Sequence, residues 1–139
     1  MFPDKDLQST ESSICKHDYD YEMTSDWEKA VQYGENIITK LNSCIKAYLD
    51  WNLALNSEGG PNYEGNLCYA PIEVNATADE FYKKALFYVL GHFSKFILPG
   101  SIRTDVQIFP YMNNIDFVAF EVNSPNCWNT HLVLIVLNR

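Results

Sequence analysis

Residues 47–55 read AYLDWNLAL, and this stretch decides the predicted fold. It is too short and too evenly apolar for a surface helix, and a strand buried on both faces of a parallel sheet fits it better. Asp50 and Asn52 share one face of that strand, where polar side chains are costly unless they are hydrogen bonded. Near the carboxyl end of a strand in a parallel barrel, such residues are site residues.

A helical pattern precedes this strand. Ser25 and Glu28 have the spacing of a capping box, and apolar residues recur at helical intervals after them. The pattern predicts a helix from Trp27 to about Ile45, with one weak point at Gly34.

A long loop, residues 56–71 (NSEGGPNYEGNLCYAP), follows the strand, and loops of this length are usually functional or disordered. A second helix is predicted to start at Thr77, where Glu80 completes another capping box, and to stop at Pro99-Gly100. The order helix, buried strand, loop and helix indicates α/β winding.

The character of the chain changes after Gly100. Three runs rich in β-branched and aromatic residues predict strands at Val106–Phe109, Ile115–Val122 and His131–Asn138. Three antiparallel strands are marginal on their own, so we expect them to pack against another part of the molecule.

The charge distribution is uneven. The chain has 139 residues, 47% of them hydrophobic, and a net charge of −8, of which −6 lies in residues 1–28. A chain with this balance lacks the basic face that nucleic acid binding needs. The acidic N-terminal stretch is either poorly ordered, which we favour, or an edge that needs a partner.

Membrane and secretion signals are absent from the sequence as given. No stretch of 18 apolar residues occurs, so no transmembrane helix is predicted. No basic segment followed by an apolar run opens the chain, so no signal peptide is predicted in it.

Four cysteines, Cys15, Cys44, Cys68 and Cys127, occur without the paired spacing of a zinc site. They allow three disulfide pairings, but buried free thiols are the more common situation, and we expect it here. The chain contains one glycosylation sequon, Asn75-Ala76-Thr77, which has meaning only in the secretory pathway.

A set of longer motifs carries a resemblance to a known family. Residues 50–56 (DWNLALN), 58–62 (EGGPN) and 87–97 (FYVLGHFSKFI) resemble the glucosylceramidases of glycoside hydrolase family 30, as do residues 27–39 (WEKAVQYGENIIT) and 137–139 (LNR). The resemblance covers about residues 25–139.

The resemblance implies an α/β fold, namely the C-terminal part of a (β/α)8 TIM barrel followed by part of an antiparallel β-sandwich. Residues 25–98 would belong to the barrel and residues 99–139 to the sandwich. Residues 1–24 would be a poorly matched acidic segment that includes the strand of the catalytic nucleophile. The implied activity is a retaining β-glucosidase that hydrolyses glucosylceramide to glucose and ceramide, with two carboxyl groups and no metal or cofactor.

The resemblance also suggests site residues. Glu11 stands where the family has its nucleophile, although a solvated glutamate in a frayed tail is the alternative. Trp51 matches an aromatic residue that lines the glucose pocket, where a flat ring stacks on a sugar. Asp50 would accept hydrogen bonds from sugar hydroxyls, with a structural buried acid as the alternative, and Asn66 matches a loop asparagine at the pocket mouth.

The family's acid/base residue lies on an earlier barrel strand that this sequence does not contain. One carboxylate cannot both protonate the leaving group and attack the anomeric carbon, so we expect the isolated chain to be inactive. The alternative is a truncated or degenerate relative with at most a binding role. By resemblance, the setting is the lysosome, with a glycosphingolipid at a membrane surface and a saposin-type activator as partners.

Overall fold

A computed structural model describes residues 5–16, 25–107, 109–110, 112–123 and 130–139. Within those ranges the chain forms two helices and ten short strands, and the strands form four small sheets. In chain order the elements are β1 (Leu7–Ser9), β2 (Ile14–Lys16), α1 (Asp26–Asn42), β3 (Ile45–Tyr48), β4 (Ala54–Leu55), β5 (Leu67–Tyr69), β6 (Ile72–Asn75), β7 (Glu80–Lys83), α2 (Ala85–Ser94), β8 (Ile102–Thr104), β9 (Ile115–Asn123) and β10 (Thr130–Asn138).

Helix α1 begins where its capping box predicts. The Ser25 hydroxyl accepts from the Glu28 amide at 3.2 Å, and the Glu28 carboxylate accepts from the Ser25 amide at 3.0 Å. The helix ends at Asn42, earlier than predicted, because the Ser43 hydroxyl donates to the Thr39 carbonyl and Cys44 adopts a left-handed conformation (φ 62°). The chain can then enter β3 directly.

The main core lies between α1, α2 and the C-terminal sheet. The buried residues of α1 recur at helical spacing and meet Val118 and Ile135 of the antiparallel β8–β9–β10 sheet. A Cβ added at Gly34 would lie 3.3 Å from Leu137, so this glycine lets β10 approach the helix closely. The C-terminal strands therefore pack against α1, as expected, and Gly34 is a packing position.

The N-terminal stretch forms two strands in its described part, residues 5–16, which contradicts the expectation of poor order there. Strand β1 pairs in parallel with β3, and β2 pairs antiparallel with β5. A disulfide joins Cys15 to Cys68 across the second pair, while Cys44 is an exposed free thiol. Buried free thiols are therefore the wrong prediction for these three cysteines. Cys127 and residues 17–24 lie outside the described residues.

The predicted single strand over residues 47–55 is split in the structure. Strand β3 ends at Tyr48, and only Ala54–Leu55 forms a further strand, β4, which pairs in parallel with β6. Between the two strands, the Trp51 amide donates to the Asp50 carboxylate at 2.8 Å, and residues 49–53 form no strand. Parallel pairing is correct, but burial on both faces is wrong, since Leu53 is 61% exposed.

The predicted start of a second helix at Thr77 is also wrong. Strands β6 and β7 form an antiparallel hairpin, and α2 begins only at Ala85. The Asn75 side chain accepts from the Ala78 amide at 3.2 Å, and Asp79 takes a positive φ of 54°. This local bonding favours a turn over a helix cap.

The first C-terminal strand lies earlier than predicted, at Ile102–Thr104, because Ile102 pairs with Glu121 and Thr104 with Ala119 of β9. The other two predicted C-terminal strands, at Ile115–Val122 and His131–Asn138, are confirmed within one residue.

Candidate active site

The parallel pair of β1 and β3 brings the sequence-predicted residues to one edge. Ser9 at the end of β1 is in register with Tyr48 at the end of β3. Beyond the strands, the Leu49 amide donates to the Ser9 carbonyl at 2.9 Å, and the Trp51 amide donates to the Ser12 carbonyl at 3.2 Å. The segments 10–12 and 49–51 therefore run side by side past the carboxyl ends of adjacent parallel strands.

Asp50 is half-buried at this edge and is held by two hydrogen bonds. The Tyr33 hydroxyl of α1 donates to its Oδ2 at 2.6 Å, and the Trp51 amide donates to its Oδ1 at 2.8 Å. Burial raises the pKa of Asp50, and the two hydrogen bonds, which favour the charged form, oppose part of that rise. The geometry gives a fixed carboxyl group that is harder to ionise than an ordinary aspartate.

A polar row on α1 supports the opposite segment. Lys40 donates to the hydroxyls of Ser9 and Ser12, at 2.9 Å each, and the Ser12 hydroxyl donates to Asn36 at 3.1 Å. Tyr33, Asn36 and Lys40 are spaced as neighbours on one helix face. Sequence reasoning missed these residues, although that spacing was a usable signal.

The two remaining side chains of the edge differ in exposure. Glu11 is exposed. Its segment is hydrogen bonded to residues 49–51 through the backbone and to Lys40 of α1 through the Ser12 hydroxyl. Trp51 is half-buried and packs against the small cluster of Leu55, Cys68 and Ala70. The edge thus combines an accessible carboxylate, a held carboxyl group and an aromatic ring.

Asn66 shares no hydrogen bond with Glu11, Asp50 or Trp51 among the described residues. It is exposed and lies directly before β5. Its backbone carbonyl accepts from the side chain of Asn62 at 2.8 Å, and the same side chain donates to the Gly59 carbonyl at 2.7 Å. The structure therefore shows how its loop is held, and does not join Asn66 to the other site residues.

Two further expectations concern metals and membranes. In the described ranges, no group of three or more histidine, cysteine, aspartate or glutamate side chains has the arrangement of a metal site. Neither helix within those ranges has the length and apolar character needed to cross a bilayer.

The chain matches a known family over most of its length. The family description is the glycosyl hydrolase family 30 TIM-barrel domain, and the matched residues are 1–97. Over 104 residues the chain is 42% identical to the lysosomal acid glucosylceramidase of Mus musculus, covering 74% of this chain and 20% of the relative. The chain thus spans about a fifth of the length of the curated relatives it matches.

Solved structures give a similar result. SrfJ from Salmonella typhimurium superposes with a TM-score of 0.82 at 34% identity, covering 99% of this chain and 28% of that protein. An endo-β1,6-glucanase superposes with a TM-score of 0.70 at 27% identity, covering 86% of this chain and 27% of that one.

Proposed function

The chain belongs to glycosyl hydrolase family 30, and on that premise we propose that it carries part of the active site of a retaining β-glucosidase that hydrolyses glucosylceramide. The parallel pairing of β1 with β3 carries this proposal, because it sets the Glu11 segment beside Asp50 and Trp51. In (β/α)8 barrel enzymes the reacting groups lie beyond the carboxyl ends of the strands. The family match spans both segments, which supports the assignment.

The proposed domain organisation follows from the same premise. Residues 25–98 form the C-terminal part of the barrel, residues 1–24 include the nucleophile strand, and residues 99–139 form part of a β-sandwich. The match of residues 1–97 to the family's TIM-barrel domain supports the first assignment. The antiparallel β8–β9–β10 sheet supports the last.

In the proposed reaction, the Glu11 carboxylate attacks the anomeric carbon of glucose. The bond to the ceramide oxygen breaks as that oxygen takes a proton from a second carboxyl group, and water then releases glucose from the covalent intermediate. The second carboxyl group comes from a part of the protein outside these 139 residues. Glu11 suits the attacking role better than Asp50, because Glu11 is exposed whereas both carboxyl oxygens of Asp50 already accept hydrogen bonds from Tyr33 and Trp51.

Asp50, Trp51 and Asn66 bind the sugar in this proposal. The Trp51 ring stacks on a C–H face of glucose, and Asp50, fixed by Tyr33, bonds sugar hydroxyls. Asn66 contributes at the mouth of the pocket. The two carboxyl groups carry the chemistry, so the mechanism uses no metal and no organic cofactor.

The proposed setting is an acidic lysosomal lumen, with the lipid substrate at a membrane surface and a saposin-type activator as partner. The name of the mouse relative supports the compartment and the lipid class. A sequence pI near 4.7 agrees with an acidic compartment.

The proposal can be tested by trapping the covalent intermediate. The native gene product, captured with an antibody against this chain, is treated with a 2-deoxy-2-fluoro-β-glucoside and mapped by peptide mass spectrometry. We expect one added sugar, on Glu11, in a product much heavier than 16.0 kDa. A label on a different carboxylate would remove Glu11 from its role.

The isolated chain provides the complementary measurement. We expect no turnover of a fluorogenic β-glucoside by the purified 139-residue protein, because one carboxylate cannot fill both roles. Turnover that is abolished by Glu11→Gln would contradict the need for a second segment.

A catalytically inactive relative with at most a binding role is the second candidate. Retaining chemistry needs two carboxyl groups, and of the two at the described edge Asp50 is already engaged by Tyr33 and Trp51. A native product near 16.0 kDa that takes no label would support it.

A further inference from the structure

We propose that Asn75 is a site of N-linked glycosylation, at the turn of the β6–β7 hairpin. This inference goes beyond the proposed function and does not depend on it. It rests on three observations: the sequon, the geometry of the turn, and the disulfide elsewhere in the chain.

The hairpin turn presents the sequon at the surface. Asn75 ends β6, and the four residues that follow, Ala76 to Asp79, form an exposed turn that leads into β7. Strand β7 is the edge of its three-stranded sheet, and all four of its residues are exposed. An attached oligosaccharide therefore has free space on this side of the described structure.

The bonding of Asn75 leaves the reactive atom available. Its Oδ1 accepts from the Ala78 amide at 3.2 Å, whereas no hydrogen bond engages its Nδ2 among the described residues. Nδ2 is the atom that would carry the sugar. The same hydrogen bond orients the side-chain amide, and it persists after modification because its acceptor, Oδ1, is unchanged when a sugar is joined to Nδ2.

Room for the first sugars is visible beside the turn. An open groove of about 560 Å³ runs between the hairpin and residues 54–61, and Asn75 and Thr77 lie on its wall. A saccharide attached at Nδ2 has space to enter this groove without displacing the hairpin.

The Cys15–Cys68 disulfide indicates the kind of compartment in which the chain folds. Disulfides persist in oxidising surroundings such as the endoplasmic reticulum and the extracellular space, where sequons are also modified. A sequon in a reducing compartment would not be glycosylated, whereas the disulfide indicates an oxidising compartment.

The transfer step balances with a lipid-linked oligosaccharide pyrophosphate as donor. The bond between its anomeric carbon and the pyrophosphate oxygen breaks, and a bond from that carbon to Nδ2 of Asn75 forms. One Nδ2 proton passes to a base of the transferase, and the lipid pyrophosphate leaves with the electron pair.

The experiment uses the full chain, directed into the endoplasmic reticulum of insect cells by a cleavable leader. The gel mobility shift removed by a peptide N-glycosidase is measured, and enzymatic release in ¹⁸O water marks the modified asparagine as labelled aspartate. We expect one glycan, on Asn75, in the wild type and in Thr77→Ser, which keeps the sequon. We expect none in Asn75→Gln or Thr77→Ala.

Thr77→Ala is the matched control, because it changes one exposed side chain and keeps Asn75 with its bond to Ala78. Alkylation of thiols shows whether Cys15 and Cys68 are oxidised in the same sample. Unmodified Asn75 would overturn the proposal, whether Cys15 and Cys68 are oxidised or free in that sample. No outcome depends on glycosidase activity, so failure here leaves the proposed function standing.

Discussion

Two regions of the molecule are held together in different ways. Where α1 meets the C-terminal sheet, stability comes from burial, since Ile37 and Val118 are each only 1% exposed. At the β1–β3 pair, the side chains of Leu7 and Leu49 are about half exposed, because the described residues cover little of them. This pair is fixed by backbone pairing and by polar side chains of α1. The β1–β3 pair therefore depends more on hydrogen bonds than on burial, although Trp51 beyond β3 packs on the small cluster of Leu55, Cys68 and Ala70.

The largest expected effect lies in the buried region. Ile37→Ala should lower the free energy of unfolding by about 2–5 kcal/mol, because it removes buried methyl groups and leaves a cavity. Leu53→Ala, in the exposed segment after β3, is the matched control and should change it by less than about 0.5 kcal/mol. Urea unfolding of both variants measures the difference. Equal losses would contradict the contrast between the two regions.

A smaller effect is expected at Asp50, where the site joins α1. Burial raises the folded-state pKa of this carboxyl above its unfolded value, so its ionisation opposes folding as pH rises through the folded pKa. The Tyr33 hydroxyl favours the ionised form. Tyr33→Phe should therefore raise the pKa of Asp50 further. It should also destabilise the chain by about 1–2 kcal/mol at neutral pH and by less at low pH.

The control for this prediction is the same change in an Asp50→Asn background. There the destabilisation by Tyr33→Phe should lose its pH dependence, because no carboxyl group remains beside residue 33. Unfolding measured against pH in the four variants gives the coupling directly. A pH dependence that persists without Asp50 would assign the effect to another group.

Some of these features could be predicted from the sequence because their causes are local. The start of α1 follows from Ser25 and Glu28, which bond each other within one turn. The family could be predicted from motifs such as DWNLALN at residues 50–56, because a long specific motif can be recognised without knowing which distant residues it contacts. Asp50 was singled out correctly as a polar group that must be bonded.

The remaining features depend on distant partners. Cys15 and Cys68 are 53 residues apart, and nothing in their spacing selects that pair over the other pairings. The spacing of Thr77 and Glu80 fits both a helix cap and a hairpin. The hairpin belongs to a sheet in which β6 also pairs in parallel with β4, and this pairing cannot be read from residues 77–80. The helical spacing of Lys40 marks a polar face but not its partners, because Ser9 and Ser12 lie in a stretch whose composition predicted poor order.

A smaller loss of stability is expected at Lys40, within the site region itself. Lys40→Met removes two half-buried hydrogen bonds to Ser9 and Ser12 while keeping most of the side-chain length. We expect a loss of about 1 kcal/mol in the free energy of unfolding, since each hydrogen bond contributes modestly. Lys46→Met is the matched control, because the ion pair of Lys46 with Asp6 is exposed and such pairs contribute little.

Hydrogen exchange of individual amides shows whether Lys40→Met destabilises the site locally or the whole fold. The Leu49 and Trp51 amides, which donate to the Ser9 and Ser12 carbonyls, should exchange with solvent faster in Lys40→Met. The amide of Ile135 in β10, whose side chain lies in the main core, should change only by the global loss of stability. Uniform acceleration across both regions would mean that Lys40 supports the whole fold, and the distinction between a buried core and a hydrogen-bonded site would then not hold.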